Sequence, residues 1–318
     1  MKFLDMTEEL RYYKLKYQMN RKLEEIVLTK GYVQIEPQFF EEYDSFIQMN
    51  KRIKKESTVK LLDSDGKILI LRPDITTSII KHVIPKLENQ SQLKLFYLST
   101  IFSRNAKHAI EEKKQFGIEF LGDASKEADL EVLNIAFSIL MEFKVNFLIE
   151  INNNKFLSAL MDELKLNEDL SIEFKNIVYY KNQHALNQFI SRSEIPASYQ
   201  DLVKNLLKFQ GTISQIKEML SKYQLTNPMR QAMTELEDIS KALETAHLSF
   251  AKFDLSVISQ YDYYAGITFK AFIQGVSSPI ISGGRYDLLT KQLGKDVPAV
   301  GFALNSADLL KEVLRNHE

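Results

Sequence analysis

The chain has 318 residues, of which 45% are hydrophobic, and its 41 basic and 42 acidic side chains give a formal net charge of −1. This length allows one large domain or two smaller ones, and this composition can form a core, which excludes an intrinsically disordered chain. The chain contains no cysteine, which excludes disulfide frameworks, thiolate metal sites, iron–sulfur clusters and cysteine nucleophiles.

The first third of the sequence predicts one long helix followed by strands. Apolar residues at helical spacing from Leu10 to Val27 predict an amphipathic helix that ends at Gly31, a residue suited to a left-handed cap. A short extended segment at 32–35 follows and is closed by Pro37. Alternating or β-rich runs predict three more strands, at 67–71, 94–102 and 115–121.

The middle of the sequence predicts helices. Of the 11 glycines, only Gly211 lies between Gly122 and Gly266, so the residue that sharp turns prefer is scarce there. Apolar residues at three-and-four spacing predict a mainly helical insertion at about 156–248. The remainder predicts strands at 250–258, 267–273 and 299–304 and a closing helix at 306–315.

Strands at both ends with helices between them indicate one α+β core domain, spanning 1–318 and interrupted by the helical insertion. Its mainly antiparallel sheet would be assembled from distant parts of the chain. The first residues, MKFLDMTEELRYYK, lack the apolar segment of a signal peptide, and no apolar run approaches the ~20 residues of a membrane span. We therefore expect a soluble cytoplasmic protein that does not bind membranes.

Charge and residue types also limit the possible ligands. A net charge near zero and only nine arginines disfavour nucleic-acid binding. The five histidines have no pair at short metal-ligand spacing, so no metal site is expected. Nothing in the sequence predicts a cofactor.

A first candidate site lies at a predicted helix start. Pro73 presets the backbone there, and Asp74 and Thr76 place a carboxylate and a hydroxyl in the first turn. Such a pair can bind a ligand ammonium group, or Asp74 can simply cap the helix. The segment alone favours the cap.

A second candidate site lies on the strand at 115–121. Gln115 and Glu119 are four residues apart and therefore share one face of the strand. A glutamate there either lies in solvent or binds a cationic or hydrogen-donating group, because its burial without a partner is costly. The strand alone favours solvent exposure.

Two further motifs follow the helical middle. Tyr263 and Tyr264 are adjacent, so one ring can pack in the core while the other lines a cavity, although packing can explain both. Gly283 and Gly284 allow close approach of a ligand or another backbone. Arg285 follows them and can clamp a ligand carboxylate, and a tight turn with a structural arginine–aspartate contact explains it equally well.

The order of these motifs resembles the catalytic core of histidyl-tRNA synthetases. A proline-led acid at a helix start, Q-x-G-x-E, D-Y-Y-x-G, G-G-R-Y-D and P-A-V-G-F-A occur in the order found in that family. The resemblance covers residues 1 to about 315 apart from the helical middle. It implies the class II synthetase fold, an antiparallel sheet flanked by helices, and a homodimer whose interface uses residues at about 9–37.

The resemblance also implies a histidine-binding pocket. Carried over position by position, its residues are Asp74, Thr76, Gln115, Glu119, Tyr264, Tyr263, Gly283 and Gly284. The first three would hold the ammonium group, Glu119 and Tyr264 would meet the imidazole ring with Tyr263 nearby, and the glycines would admit the ligand. Acceptors of this kind suit a ligand with a cation and ring N–H donors.

The sequence departs from the synthetase pattern where ATP would bind. Family arginines are replaced by Ser103, with Arg104 one place late, by Ser259 and by Asp308, and the loop at 105–114 has none. Adenylation needs positive charge where negative charge develops, so no catalytic residue is expected. The sequence also stops after the core, without the α/β anticodon-binding domain of a synthetase.

A histidine pocket without these arginines resembles the regulatory subunits of ATP phosphoribosyltransferase, which are synthetase paralogues. That resemblance implies a hetero-octamer of four such chains and four short-form catalytic subunits. In that family the catalytic subunit transfers a phosphoribosyl group from PRPP to ATP in the first step of histidine biosynthesis, with histidine as feedback inhibitor. It also implies that this chain is required for activity without catalysing the reaction itself.

Two alternatives remain open at the level of sequence. One is a minimal synthetase-like ligase that adenylates histidine or another small acid, and the replaced arginines argue against it. The other is a scaffold that has lost its ligand, and retention of both Gln115 and Glu119 on one strand face argues against that.

Overall fold

The computed structural model describes residues 5–49, 55–88, 91–105, 107–243, 245–258 and 263–316. The chain forms two compact units. The first unit comprises Met1–Phe147 and Ala271–Glu318, and the second comprises Leu148–Lys270. No described helix has both the length and the apolarity that a membrane crossing requires.

Helices dominate the described residues. In chain order they are α1 (Met6–Leu28), α2 (Tyr43–Met49), α3 (Ile75–Val83), α4 (Lys126–Glu142), α5 (Asn154–Leu164), α6 (Glu168–Tyr179), α7 (Gln183–Arg192), α8 (Ala197–Asn205), α9 (Ile213–Leu220), α10 (Asn227–Ala242), α11 (Thr245–Leu248), α12 (Asp287–Gln292) and α13 (Ser306–Asn316). Short 3-10 helices form at Lys55–Ser57, Ile84–Lys86 and Leu206–Lys208.

All strands except β8 fall on the two sides of the helical stretch, as the sequence predicts, whereas β8 lies inside it. They are β1 (Val33–Gln34), β2 (Phe40–Glu42), β3 (Val59–Leu62), β4 (Ile68–Leu71), β5 (Leu93–Arg104), β6 (Ile110–Leu121), β7 (Phe147–Asn153), β8 (Gln210–Gly211), β9 (Ala251–Asp254), β10 (Ile267–Ile273), β11 (Ile281–Arg285) and β12 (Ala299–Asn305). The sequence did not predict β2, β3, β7, β8 or β11, and β6 begins inside the segment predicted as a loop.

The main sheet of the first unit has the order β1-β5-β6-β12-β11. The pairs β5·β6, β6·β12 and β11·β12 are antiparallel, whereas β1 pairs with β5 in parallel. The predicted antiparallel sheet is therefore mixed. A second, three-stranded antiparallel sheet has the order β2-β4-β3.

The two faces of the main sheet are covered by different helices. Helix α4 packs against β6, β11 and β12 on the face that carries Phe116, Ile118 and Phe120. On the opposite face Ile75 and Ile79 of α3 pack against β5. Helix α3 has its N-terminus beside β6 and so positions the candidate site.

Helix α1 is confirmed, with an Asp5 N-cap and a reciprocal capping box, but it ends at Leu28 with Thr29 as a right-handed C-cap, and the left-handed Gly31 lies in the turn that follows. Its C-terminal half buries Met19, Leu23 and Val27. Its N-terminal half instead leaves three apolar side chains in solvent, with Leu10, Tyr13 and Tyr17 exposed by 61%, 54% and 66%. The apolar stripe that predicts the helix is therefore buried only over its second half in the isolated chain.

The second unit contains helices α5–α11 and the strand order β10-β7-β9-β8. Strands β7 and β9 are parallel, because the long helical connection between them returns the chain to the same end of the sheet. Asp254 on β9 is fully buried and accepts hydrogen bonds from Ser256 and from Lys181 Nζ at 2.5 Å. This contact joins the end of α6 to the sheet of the second unit.

Lys165 ends helix α5 in a left-handed conformation with φ 49° and ψ 37°. A side chain with a Cβ is strained there, whereas glycine is not. We expect Lys165→Gly to raise the free energy of unfolding by about 0.5–1 kcal/mol, measured by urea denaturation. The matched control Lys175→Gly lies inside the right-handed helix α6 and should lower it by about 1 kcal/mol. Equal effects of the two changes would contradict this explanation.

Candidate functional site

Asp74 is the N-cap of α3, as the local sequence predicts. Its Oδ2 accepts a hydrogen bond from the Thr77 backbone N–H at 2.7 Å. The side chain is nonetheless buried, and burial raises the pKa of its carboxyl group against the opposing hydrogen bonds of Thr77, with the negative charge of Glu41 adding to the rise. Asp74 is therefore both a cap and a buried acid.

Glu119 lies on β6 and is only 1% exposed. Thr76 donates its hydroxyl to Glu119 Oε1 at 2.6 Å, and Tyr286 donates its hydroxyl to Oε2. The expectation of solvent exposure from the strand alone is wrong, because α3 covers this face of the sheet. The structure thus brings together the helix start and the strand that the sequence analysis treated separately.

Two glycines on neighbouring strands accommodate the Glu119 side chain. Across the sheet Glu119 pairs with Gly301 on β12, and Gly301 pairs with Gly284 on β11. A Cβ atom at position 301 would overlap Glu119 Oε2. Gly284, with φ 149°, has a backbone conformation that favours glycine.

The site is acidic, with two buried carboxyl groups. Burial raises the pKa of Glu119 to about 8, against the hydroxyl bonds from Thr76 and Tyr286, and the nearby charge of Asp74 contributes to the rise. Within the described residues, neither Glu119 nor Asp74 forms an ion pair with a lysine, arginine or histidine. Two buried carboxyl groups with no cation suit a ligand that brings a positive charge or N–H donors.

The remaining predicted residues occupy different positions. Gln115 lies on the same face of β6 as Glu119, half-buried, and pairs with Asn305. Gly283 alternates to the face opposite Gly284. Tyr263 and Tyr264 belong to the second unit, where the first is buried and the second half-buried, with ring centroids 4.9 Å apart.

Arg285 is a structural residue. Its Nε donates to Asp129 Oδ1 on α4 at 2.9 Å, and its two terminal nitrogens donate to the carbonyl oxygens of Asp123 and Ser125. Of the two alternatives left open for Arg285, the structural arginine–aspartate contact forms, although in a strand and not in a tight turn, because Gly283, Gly284 and Arg285 belong to β11.

Two of the three positions that replace synthetase arginines lie within the described residues. Ser103 is half-buried on β5, and Arg104 is exposed at the end of that strand. Asp308 accepts a hydrogen bond from Asn305 Nδ2 and forms an ion pair with Lys311, each at 2.6 Å. Ser259 lies outside the described residues.

Asp308 also lines a surface hollow of about 320 Å³ that includes none of the predicted ligand-binding residues. The cations there, Lys311 and Arg315, already form ion pairs with Asp308 and Glu312 on α13. Among the residues that the structure describes, no three His, Asp or Glu side chains cluster as metal ligands.

Two buried residues near the site were missed by sequence reasoning. Tyr286 contacts Glu119. The sequence offered one signal for this contact, because Tyr286 is two residues after Gly284 and therefore shares its face of the strand. Arg72 is fully buried two residues before Asp74 and donates to Thr100 O and Gln38 O at 2.8 Å each. No local pattern marks an arginine for burial.

Comparison with protein-family models gives a match to histidyl-tRNA synthetase over residues 10–309. Curated relatives are named ATP phosphoribosyltransferase regulatory subunit. The protein of this name from Clostridium novyi is 32% identical over 310 residues, which cover 95% of this chain and 73% of the relative. That from Caldanaerobacter subterraneus is 32% identical over 301 residues, covering 92% and 77%.

Solved structures of related proteins resemble this chain in fold. An ATP phosphoribosyltransferase regulatory subunit/histidyl-tRNA synthetase from Bacillus halodurans matches with a TM-score of 0.85 and 26% identity, covering 95% of this chain and 79% of that one. Histidyl-tRNA synthetase from Nostoc matches with a TM-score of 0.74 at 17% identity, covering 96% and 73%. The second likeness shows the fold alone, which is that of a class II synthetase core.

Proposed function

This chain belongs to the family of ATP phosphoribosyltransferase regulatory subunits, and from that premise we propose that it activates a short-form catalytic subunit and transmits feedback inhibition by histidine. The reaction of the complex is the transfer of a phosphoribosyl group from PRPP to ATP, the first step of histidine biosynthesis. The relatives do not favour the alternative of a ligase.

One observation carries the histidine proposal. Asp74 and Glu119 are both buried without a cation among the described residues, and Thr76 donates its hydroxyl to Glu119. An amino acid with an ammonium group and a ring N–H supplies the missing charge and donors. We assign the ligand-binding role to this group together with Gln115, and to Tyr263, Tyr264, Gly283 and Gly284 by resemblance.

We propose that the chain contributes no catalytic residue of its own and works in the cytoplasm. The absence of arginine at Ser103 and the acidic, already paired Asp308 support the first point, because phosphoryl chemistry requires positive charge at those positions. We also regard 156–248 as a helical insertion into one core domain that spans 1–318.

We propose that the chain forms a homodimer within a hetero-octamer of four regulatory and four catalytic chains. The exposed Leu10, Tyr13 and Tyr17 on α1 support the homodimer, because a contiguous apolar stripe is suited to a protein interface. These residues fall within the segment 9–37 that the synthetase resemblance assigns to the dimer. A measured mass of one chain for the isolated protein would contradict the proposal.

Substitution of Glu119 tests the histidine site. We expect Glu119→Ala to weaken histidine binding roughly 10–100-fold, because a hydrogen bond to a charged group contributes about 1.5–3 kcal/mol. Calorimetry on the isolated chain and on the complex measures this. The matched control is Glu112→Ala, which removes an exposed glutamate from the same strand and should leave histidine affinity unchanged. Equal affinities of both variants would rule out Glu119 as a ligand contact.

The regulatory role is tested by mixing the chain with a short-form catalytic subunit. We expect phosphoribosyl transfer to appear only in the mixture and histidine to inhibit it. Coupling between the two chains is reciprocal and typically amounts to about 1–3 kcal/mol, so the catalytic subunit should change histidine affinity by the same factor. Histidine-dependent exchange of pyrophosphate into ATP by the isolated chain would instead favour the ligase.

A further inference from the structure

Glu119 forms no ion pair with any residue in the part of the chain that the structure describes. Its two oxygens accept hydroxyl groups from Thr76 and Tyr286, and its carboxyl end lies against the backbone of Gly301, where no side chain intervenes. Tyr286 is itself 1% exposed, so its hydroxyl has no access to bulk water. The orientation of the carboxyl group is therefore fixed by two neutral hydroxyl groups.

Among the described residues, the ionisable groups that interact with Glu119 are acidic side chains. Asp74 lies at the start of α3 and Tyr286 at the start of α12. Tyr97 lies on the same face of the sheet, on β5. Tyr32, in the segment before β1, has a weak electrostatic interaction with Glu119. The neighbouring positions on β12 and β11 are glycines. Two ionised carboxylates in this setting would repel each other in a low dielectric. Asp74 accepts the Thr77 backbone N–H at the start of α3, which favours its ionised form, so the proton of the ligand-free site is placed on Glu119.

We propose that Tyr286 is a positioning residue of the histidine site: its hydroxyl orients the Glu119 carboxyl, and the ligand ring binds by sharing the one proton that this carboxyl holds in the ligand-free site. This inference rests on the proposed function. A neutral imidazole meets a protonated Glu119, and the proton lies between a ring nitrogen and the carboxyl oxygen. No proton enters or leaves the site at neutral pH, and the Tyr286 hydroxyl stabilises the carboxylate that results.

This arrangement predicts how histidine affinity depends on pH. Below about pH 6.5 the free ligand ring gains its own proton, so affinity falls there. Above about pH 8 free Glu119 has lost its proton, and binding must take one up, so affinity falls up to tenfold per pH unit. Affinity is therefore highest between these two limits.

Tyr286→Phe tests the role of the hydroxyl. The hydroxyl favours the ionised form of Glu119, so its removal raises the pKa of Glu119 further. We expect wild-type affinity for histidine, measured by calorimetry on the full chain, to fall about sevenfold between pH 7 and 8.8, and that of Tyr286→Phe to fall less than threefold. Loss of the ligand's ammonium proton in this range affects both proteins equally.

Tyr199→Phe is the matched control, because Tyr199 also donates to a glutamate, Glu163, at 3.2 Å but in the second unit. It should keep the wild-type pH profile. If Tyr286→Phe does not fold, Glu119→Gln decides: this variant cannot titrate at position 119, so the alkaline fall due to Glu119 should vanish.

The outcomes separate the two proposals. Histidine binding with identical pH profiles in wild type and Tyr286→Phe, or an unchanged alkaline fall in Glu119→Gln, overturns the inference alone. Absence of histidine binding to the wild-type chain at every pH overturns the proposed function and the inference with it.

Discussion

Arg72→Met is expected to lower the free energy of unfolding by about 3–5 kcal/mol. The Arg72 guanidinium is fully buried and donates to the carbonyl oxygens of Pro37, Gln38 and Thr100 and to the hydroxyl of Ser99. Methionine fills a similar volume but donates nothing, so the acceptors on the buried residues Pro37, Ser99 and Thr100 lose this donor. Urea denaturation followed by circular dichroism measures the loss.

The matched control is Arg315→Met. Arg315 is exposed on α13 and pairs with Glu312 at 3.0 Å, an interaction typically contributing less than about 1 kcal/mol. A similar loss from both substitutions would show that the buried acceptors are not the cause. Since Arg72 lies two residues before Asp74, we also expect Arg72→Met to weaken histidine binding through displacement of the start of α3.

The elements that the sequence predicts well are those with a local periodicity. Strand β10 was predicted at 267–273 and forms there, and α13 was predicted at 306–315 and extends one residue further. In each case apolar residues recur at the period of the element, although the element packs against distant parts of the chain, as α13 does against α1 and β6. The period of the apolar residues then suffices to identify the element.

Strand β11 shows why other elements could not be predicted. Gly283 and Gly284 are typical of a turn, yet they lie within the sheet because Gly284 continues the row formed by Gly301 and Glu119. The requirement for a missing side chain arises from strands that are distant in sequence. A local interpretation therefore assigns these glycines to a turn.

The same limit applies to the candidate site. Gln115 and Glu119 share a strand face, which their spacing predicts, but the burial of Glu119 depends on α3 and Tyr286. The hydroxyl donors Thr76 and Tyr286 are separated from Glu119 by 43 and 167 positions. Spacing along a strand cannot reveal contacts of this range, so the sequence favoured solvent for a residue that the fold buries.

Glu119→Gln is expected to change how the free energy of unfolding depends on pH. The folded protein raises the pKa of the Glu119 carboxyl from 4.5 to about 8, chiefly by burial. The folded state therefore holds a proton that the unfolded state releases. The stabilising contribution is complete below about pH 4.5 and is lost as the pH rises to about 8, at up to 1.36 kcal/mol per pH unit.

Glutamine at position 119 resembles the protonated carboxyl group, because its oxygen can accept one hydroxyl while its amide donates to the other. Glu119→Gln should therefore match the wild-type free energy of unfolding near pH 4.5 and exceed it by roughly 3–5 kcal/mol at pH 8. Urea denaturation at several pH values measures the difference. Asp74 titrates in both proteins, so its contribution largely cancels in the difference between the two free energies of unfolding.

Glu112→Gln is the control, because this exposed glutamate on the same strand changes the net charge equally without a buried carboxyl group. It should differ little from wild type at either pH. If Glu119→Gln is less stable than wild type at pH 8, Glu119 must be ionised in the folded protein and compensated by its hydroxyl partners. If Glu119→Gln raises the free energy of unfolding only at high pH, the ionised Glu119 destabilises the ligand-free protein. The site would then be less stable because it is built to bind a cationic or N–H-donating ligand.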